Sequence, residues 1–414
     1  MKDKVRVGIV GLGVRGMHIG LKLLASMEDV EISAICDIRE ERLEKAQKTL
    51  KETFGEEAFA TTDYREVVNR GDIDAVVVLT AWRAHVEVAL AAMRAGKYVG
   101  LEVGGATDIS DCYRLVDTFE ETGSHVMMLE NCCYGRQEMM ALRMVKEGLF
   151  GEIVHCTGAY MHDLRAMDLS CKGEHHYRPL EYISRNCDNY PTHALGPICK
   201  ILNINRGNRM LYLTSMASKA AGLREYWKEH EGPDNDAYGK EVKLGDVIVT
   251  NIMCQNGETI TLRLDTSLPR PYYSRDFSVR GTKGMYEEAR HTVFLDGMKE
   301  EVWDNETEFF ETYDHPLHAE YVRMGEKEGH GGIDWLVLRA FIESVKRGTV
   351  TPIDTYDTAA WMAITPLSER SIQHGGMPVD IPDFTRGKWM DRGPAFAGKY
   401  SLDIITEDKS IKIY

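Results

Sequence analysis

One short stretch of the sequence combines residue types that can move protons. In DNYPTHALGPICKIL, residues 188–202, His193 follows Tyr190 by three positions and stands next to Thr192. Imidazole and phenol groups can act as general acids and bases, and a histidine titrates close to neutral pH. A histidine near a helix start can also be a cap or a packed core residue. The choice between a proton-transferring histidine and a structural one depends on what the N-terminal part of the chain binds.

The N-terminal residues predict a site for a dinucleotide. An apolar, mostly β-branched segment, Val5–Val10, runs into the pattern G-x-G-x-x-G at Gly11, Gly13 and Gly16. The first glycine permits a tight turn, the second lets the backbone approach a pyrophosphate, and the third lets the next helix pack closely. A second apolar strand ends on Asp37, 21 residues after Gly16. A carboxylate at that position can accept both ribose hydroxyls of NAD and would repel the 2′-phosphate of NADP.

Two alternatives stay open at this point. Asp37 could instead cap the next helix, and the nearby Arg39 keeps NADP in consideration. The α/β alternation continues, however, and the carboxyl ends of parallel strands border a ligand crevice. The side chains that follow these strands therefore form a plausible cofactor lining, although each alone could be a packing or capping residue. The further predicted strands are Val30–Cys36, Ala75–Leu79, Tyr98–Glu102 and His125–Leu129, and the lining residues are Trp82, His85, Glu102 and Asn131.

After the predicted Rossmann domain, which we assign to residues 1–133, the pattern changes. GDVIVTNIMCQNGETITLRL alternates on both sides of Asn256-Gly257, a strong hairpin signal, and RDFSVRGTKGMYEE and HTVFLDG predict more short strands. The sequence thus predicts an α/β protein, in which residues 134–414 form an α+β domain with an open, mainly antiparallel sheet. Such a sheet, with one face uncovered, favours a homodimer or homotetramer.

Composition excludes several classes of function. The chain has 414 residues and a net charge of −15, with no basic stripe, so we expect no nucleic-acid partner. No apolar run is long enough for a membrane span, and no secretion signal precedes the first strand, so we expect a cytoplasmic protein; a chain trimmed of a leader would look the same. The nine cysteines show no metal-ligand spacing, and Cys171 beside His175-His176 matches no known metal site. We expect no metal.

Several motifs carry a resemblance to a known family. TAWRAH followed by AGKYVGLEV is similar to the Gfo/Idh/MocA oxidoreductases. More narrowly, RNCDNYPTHALGPICKILNINRGNR, SLPRPYYSR, GHGGIDW, YDTAAWMAITPLSERS and PDFTRGKW resemble glycoside hydrolase family 109, which includes NAD-dependent α-N-acetylgalactosaminidases. Many of those hydrolases carry a twin-arginine leader that is absent here.

The resemblance implies a set of contacts for each ligand. For NAD it implies Val14, Arg15, Asp37, Trp82, Arg83, Ala84, His85, Glu102, Val103 and Asn131, beside the three glycines. For the sugar it implies Tyr160, Tyr190, Pro191, Thr192, His193 and Tyr272, with Arg178 near the cofactor or the sugar.

The implied reaction is hydrolysis of a hexoside, such as an α-N-acetylgalactosaminide, with NAD as cofactor. It proceeds through transient oxidation at C3, deprotonation at C2, elimination, addition of water and re-reduction. We expect His193 to be one base and Tyr160 or Tyr190 its partner. The alternatives are an NAD-dependent sugar or polyol dehydrogenase that makes 3-keto sugars and a non-enzymatic sensor of NAD or sugar.

Two departures from the dehydrogenases favour hydrolysis. Where they read Glu-Lys-Pro, this chain reads Glu102-Val103-Gly104, and Asn189 stands where they have an aspartate four residues before the histidine. A chain that lacks both the lysine and the aspartate but keeps the histidine is not suited to simple net oxidation.

Overall fold

The computed structural model describes residues 4–170, 177–233, 239–299, 301–323 and 330–406. By their contacts these residues form two compact units. The first contains the described residues within 1–136, 315–359 and 393–414, and the second contains those within 137–314 and 360–392. The predicted boundary at 133/134 does not anticipate that two later segments pack with the N-terminal unit, and as a domain boundary it stays a prediction. Cys171, His175 and His176 lie outside the described ranges.

The first unit is built on a six-stranded parallel sheet in the order β3-β2-β1-β4-β5-β6. The order reverses between β1 and β4, and ligands of such sheets bind at the carboxyl ends of the strands at this reversal. This is the predicted Rossmann arrangement. The strands are β1 (Val5–Val10), β2 (Val30–Cys36), β3 (Phe59–Thr61), β4 (Ala75–Val78), β5 (Tyr98–Leu101) and β6 (Val126–Met128).

Helices connect the strands of this sheet, and local capping fixes where they begin. Asp108 accepts a hydrogen bond from the amide of Ser110 at 2.8 Å at one helix start, and Gly123 ends that helix with a φ of 72°. The helices and helical turns of the unit are Gly16–Leu23, Glu40–Thr49, Leu50–Phe54, Tyr64–Val68, Trp82–Arg94, Ile109–Thr122, Asn131–Tyr134, Pro316–Arg323, His330–Gly332, Ile333–Arg347 and Thr355–Met362, the last of which continues into the second unit.

The returning segment 315–359 completes the first unit in two places. The hydroxyls of Thr355 and Thr358 accept hydrogen bonds from the amides of Val126 and Met128, each at 3.1 Å. They thereby pair backbone amides of the edge strand β6 that would otherwise lack a partner in the sheet. Arg339, fully buried on the helix Ile333–Arg347, donates to both oxygens of Asp29 at 2.6 and 2.7 Å. Both contacts join residues more than 200 positions apart in the sequence, which is why a reading of local patterns does not reveal them.

The second unit is built on an eight-stranded sheet in the order β13-β12-β11-β7-β10-β9-β8-β14. The hairpin predicted around residues 256–257 is present as the antiparallel pair β9–β10, and β11, β12 and β13 form the predicted meander. Among the strands of this sheet in the described ranges, only β7 and β10 pair in parallel. The strands are β7 (Ile153–Met161), β8 (Met210–Ala217), β9 (Val247–Cys254), β10 (Thr259–Asp265), β11 (Ser278–Gly281), β12 (Gly284–Glu287), β13 (Thr292–Leu295) and β14 (Val379–Asp380).

One face of this sheet is covered by helices. Ile252, Ile260 and Leu262 point to the covered face and are buried. The helix Thr192–Ile201 lies so close to β7 that a Cβ on Gly158 would stand 2.8 Å from the Cβ of Ala194. The helices and turns of the second unit are Arg136–Lys146 (from residue 137), Arg178–Ser184, Thr192–Ile201, Gly222–His230, Glu288–Arg290, Glu306–Tyr313, Ile364–Gln373 and Lys388–Met390. Among the helices in the described ranges, none has the length and apolar character required to cross a membrane.

Candidate active site

The glycine loop after β1 has the geometry that a dinucleotide requires. Gly11 has a φ of 100°, and a Cβ there would stand 2.5 Å from the backbone of Leu79. A Cβ on Gly16 would stand 2.0 Å from the carbonyl oxygen of Gly11, so the helix Gly16–Leu23 can start here only with a glycine. At Gly13 the nearest atom, on Arg42, is 3.6 Å away, and the side chain of Val14 is 70% exposed. The loop therefore leaves room for a pyrophosphate at a helix N-terminus.

Asp37 at the end of β2 supports this loop directly. Its Oδ2 accepts from the amide of Leu12 at 2.7 Å, and its Oδ1 accepts from the amide of Arg39 at 3.1 Å. The guanidinium of Arg42 lies 3.5 Å from the same carboxylate. A carboxylate has about four acceptor positions and three are used here, so Asp37 can hold the loop and still accept from a ribose hydroxyl. The helix cap that we weighed as an alternative falls on Arg39 instead.

Trp82 explains the unusual sequence Glu102-Val103-Gly104. The indole Nε1 donates to the carbonyl of Val103 at 3.2 Å, and a Cβ on Gly104 would stand 2.4 Å from the indole ring. A proline at position 104, as in the dehydrogenases, could not coexist with this ring. His85, one turn further along the helix, is fully buried and donates to the carbonyl of Thr80 at 2.9 Å. Burial lowers the pKa of His85 to about 4, so it is neutral and packs the structure. Arg83 and Ala84 lie in the first turn of the same helix, and Arg83 is exposed.

A polar network joins the residues predicted at the ends of β1, β5 and β6. The buried carboxylate of Asp334 accepts from both terminal nitrogens of Arg15 at 3.1 Å, from Asn131 Nδ2 at 2.6 Å and from His330 Nδ1 at 2.6 Å. The Nε of Arg15 lies 3.5 Å from Oε2 of Glu102. The sequence predicted Arg15, Glu102 and Asn131 but not Asp334, whose motif GHGGIDW was only part of the resemblance.

The charges within this network determine its protonation state. Burial raises the pKa of Asp334, but the hydrogen bond from His330 and the charge and hydrogen bonds of Arg15 outweigh it and hold the pKa well below its usual range. The same hydrogen bond raises the pKa of His330. Asp334 is therefore an anion that is surrounded by donors.

The second unit brings the predicted catalytic residues together as a cluster of rings. Tyr160 lies in the buried end of β7, and its ring centroid lies 4.4 Å from that of Tyr190 and 5.5 Å from that of His193. The hydroxyl of Tyr190 lies 3.4 Å from His193 Nε2. Pro191 and Thr192, both buried, form the start of the helix that presents His193. We call Tyr160, Tyr190 and His193 the ring cluster.

Arg178 belongs structurally with the ring cluster. Its guanidinium lies 4.9 Å from the ring centroid of Tyr190, and its Nη1 pairs with Asp168 at 2.7 Å. Burial lowers the pKa of Arg178, but the neighbouring tyrosines and Asp168 raise it by more. The net effect is a pKa well above the usual value. Its contacts with the sugar and with the cofactor both stay predictions.

The structure separates two neighbouring tyrosines after β10. Tyr272 is 66% exposed and lies beside Arg270, whereas Tyr273 contacts the ring of Tyr160 at 5.9 Å and that of His162 at 5.3 Å. The resemblance named Tyr272 as a sugar contact, which stays a prediction; it did not name Tyr273 or His162, whose rings contact that of Tyr160. His162 follows Tyr160 by two residues, a spacing that places side chains on one side of an extended chain, so a signal for it was present.

The loop before His193 is held from inside the unit. The backbone amide of Asp188 donates to Ser368 at 2.9 Å, and its carbonyl accepts from Thr365 at 2.8 Å. Its carboxyl group is buried, with Thr250 as a hydrogen-bond donor at 3.4 Å. Burial raises the pKa of Asp188 to about 7, so this acid carries a proton over most of the acidic range. These contacts fix the segment from which Tyr190 and His193 project.

Comparison with known proteins first identifies the class. Residues 5–130 match the oxidoreductase family with the NAD-binding Rossmann fold. Levoglucosan dehydrogenase, solved in complex with NADH and L-sorbose, superposes with a TM-score of 0.70 and 19% identity, over 92% of this chain and 100% of that chain. An NAD-binding oxidoreductase from Klebsiella pneumoniae gives a TM-score of 0.72 at 16% identity, over 92% of this chain and 99% of the other. The fold is that of the NAD-dependent oxidoreductases.

Sequence comparison then identifies the family. Residues 134–391 match the C-terminal domain of glycosyl hydrolase 109. An α-N-acetylgalactosaminidase from Tannerella forsythia is 41% identical, with 95% of this chain and 89% of that protein covered. An α-N-acetylgalactosaminidase from Bacteroides fragilis is 39% identical, with 93% of each covered. The chain belongs to glycosyl hydrolase family 109, as the resemblance predicted, and NAD is its cofactor.

Proposed function

We propose that this protein hydrolyses α-N-acetylgalactosaminides, with NAD bound at the glycine loop and the sugar bound at the ring cluster. The observation that carries the proposal is that a chain 41% identical to an α-N-acetylgalactosaminidase holds His193, Tyr190 and Tyr160 in mutual contact. Three of the residues implied for the sugar thus lie in one cluster, which supports the proposal.

The residues of the first unit fit the cofactor. Gly11 and Gly16 fix the turn, Gly13 leaves the backbone open, and Asp37 offers a carboxylate for the ribose. Bound NAD supplies a reversible hydride acceptor for a sugar carbon, which makes the hydrogen on the adjacent carbon acidic. The reaction also requires proton transfers, and these must be made by side chains of the protein.

His193 and the two tyrosines are suited to these proton transfers. The contact between the Tyr190 hydroxyl and His193 Nε2 allows a proton to pass between the two groups. Arg178 lies against the face of Tyr190, and a cation there favours an oxyanion on a phenol or on the sugar. We propose that His193 takes the proton from one sugar position and that Tyr160 or Tyr190 serves the other.

The exposed aromatic residues next to the cluster suit a carbohydrate. Tyr272 and Tyr273 are 66% and 40% exposed, and the flat face of such a ring packs against the apolar face of a sugar. Tyr273 touches the ring cluster, so we propose that it borders the subsite for the hexose.

The test uses nitrophenyl α- and β-hexosides, including the N-acetylgalactosaminides, with and without added NAD. We expect release of nitrophenol from the α-N-acetylgalactosaminide with no net formation of NADH, and incorporation of solvent deuterium at C2 of the product. The His193→Ala variant should lower turnover about 10²–10⁴-fold, with His155→Gln as a matched control on the uncovered sheet face. Product without deuterium at C2 contradicts the elimination route.

A sugar dehydrogenase is the second candidate, because the solved neighbours with this fold include levoglucosan dehydrogenase. Stoichiometric accumulation of NADH with a 3-keto product would favour it. The packing of Trp82 on Gly104 argues for the hydrolase, since it excludes the proline that follows the lysine in the dehydrogenases.

We further propose a cytoplasmic homodimer or homotetramer. The eight cysteines in the described ranges are buried and free of disulfides, which suits a reducing compartment. The uncovered face of the second sheet exposes Tyr212 and Met216, by 37% and 71% of their surfaces. Light scattering of the wild type and of Met216→Asp tests whether this face joins copies of the chain; an unchanged mass for the variant contradicts the use of this face.

A further inference from the structure

The carboxylate of Asp334 has more hydrogen bonds than a helix-start residue requires. The side chain is fully buried in the first turn of the helix Ile333–Arg347 and accepts four hydrogen bonds from three side chains. Two of its donors are Arg15, within the glycine loop, and Asn131, just after β6. A single anion from a distant segment therefore joins two strand ends of the cofactor-binding edge.

The backbone before Asp334 is shaped to deliver it there. Gly331 and Gly332 have φ values of 67° and 94°, and a Cβ on Gly332 would stand 2.2 Å from the ring of Tyr321. Only glycine accepts this combination of backbone angle and close approach. The turn that presents Asp334 is thus specified as strictly as the glycine loop that it reaches.

Arg15 is held between two acids. Its terminal nitrogens pair with Asp334, and its Nε lies 3.5 Å from Glu102. A guanidinium between two carboxylates has little net charge left to attract a phosphate. The contribution of the Arg15 side chain is therefore geometric, because it fixes the loop between Gly13 and Gly16.

We propose that Asp334 is a positioning residue for the dinucleotide: it fixes the glycine loop through Arg15 and the end of β6 through Asn131, and so determines how long NAD stays bound. The proposal needs only NAD binding and does not depend on hydrolysis of a glycoside. Retention matters for an enzyme that returns its cofactor unchanged after each turnover, since a lost cofactor means an idle site.

The main test is the rate of NADH dissociation, followed by the fluorescence of NADH during displacement by excess NAD. Asn at position 334 would turn an amide towards groups that all donate. We expect Asp334→Asn to raise the dissociation rate about 10-fold or more, the change that one lost charged hydrogen bond typically causes. The NAD content of the purified protein should fall in parallel.

Asp29→Asn is the matched control. Asp29 lies in the same unit and pairs with Arg339 and Lys346, which belong to the helix that carries Asp334 and not to the glycine loop. We expect it to lower the melting temperature and to keep the wild-type dissociation rate. His330→Gln should change that rate less than about 3-fold, because the side chain is 64% exposed and exposed pairs contribute little.

Arg15→Gln removes the Arg15–Asp334 pair by changing the arginine instead of the acid, so it tests the proposal even if Asp334→Asn does not fold. We expect a comparable rise in the dissociation rate, and in the double variant the two effects should not multiply. Rates within 2-fold of wild type for either variant, or an equal rise in Asp29→Asn, would overturn the proposal. Failure of the wild type to cleave any glycoside would instead refute the proposed function and leave this result intact.

Discussion

The glycine loop and the ring cluster hold their side chains by different physical means. Around the loop, positions are fixed by backbone geometry and charge: Gly16 tolerates no Cβ, and Arg15 is paired with Asp334 through two hydrogen bonds. In the ring cluster, Tyr160, Tyr190 and His193 are held by ring contacts and by one long hydrogen bond of 3.4 Å. Ring contacts restrict direction less than paired charges do.

The difference suits the two tasks. A cofactor that remains bound needs a rigid receptor, whereas groups that pass protons to a changing substrate need room to adjust. The predictions that follow test whether the two regions can be damaged separately.

His193→Ala should produce the largest loss. Removal of a general base typically lowers turnover about 10²–10⁴-fold, and the NAD content should not change because the glycine loop is built from other residues. Steady-state kinetics and the absorbance of bound NAD measure the two effects. Near-normal turnover would return His193 to the capping role considered from the sequence.

Gly16→Ala should do the opposite. Its Cβ would stand 2.0 Å from the Gly11 carbonyl, so the loop must open, at a cost of about 1–3 kcal/mol in the free energy of unfolding. We expect loss of NAD from the purified protein. Gly71→Ala is the control, because its φ, like that of Gly16, is not positive and no atom lies within 4 Å of the added Cβ. Retention of NAD by Gly16→Ala would show that the loop is less rigid than we infer.

Asp188→Asn should change how stability depends on pH. Burial raises the pKa of Asp188 to about 7 from 3.8, so the folded state binds the proton more tightly than the unfolded state. This contribution is complete below pH 3.8 and is lost as the pH rises towards 7, at about 1 kcal/mol per pH unit. The free energy of unfolding, measured by denaturation at several pH values between 5 and 8, should therefore fall more steeply with pH for the wild type than for Asp188→Asn. The same pH dependence of the free energy of unfolding in both proteins would contradict the raised pKa of Asp188.

Arg178→Lys should have the smallest effect of the four. The charge beside Tyr190 remains, but the flat guanidinium that lies on the ring is lost, so we expect about a 10-fold fall in kcat/KM. Unaltered binding of NAD would confine Arg178 to the sugar, and weaker binding of NAD would support its predicted contact with the cofactor.

The sequence revealed the region that backbone geometry defines. Glycines at fixed spacing, an apolar strand and Asp37 are local signals, and the predicted fold class, cofactor and family are all confirmed. The hairpin at residues 256–257 was also predictable, since its turn and alternating pattern lie within one short segment.

The rest depends on contacts that no local pattern records. Asp334 is 319 positions from Arg15, so their pairing is visible only in the folded chain. The choice between Tyr272 and Tyr273 is of another kind, because adjacent residues of one type give no signal as to which side chain turns inward. The resemblance named Tyr272, whereas the ring contacts favour Tyr273.

The return of residues 315–359 to the first unit has a consequence for synthesis of the protein. The amides of β6 find Thr355 and Thr358, and Asp29 finds Arg339, only after those later residues have left the ribosome. While the intervening residues are being translated, the nascent N-terminal segment therefore has an unpaired edge at β6 and an Asp29 carboxylate without its arginine.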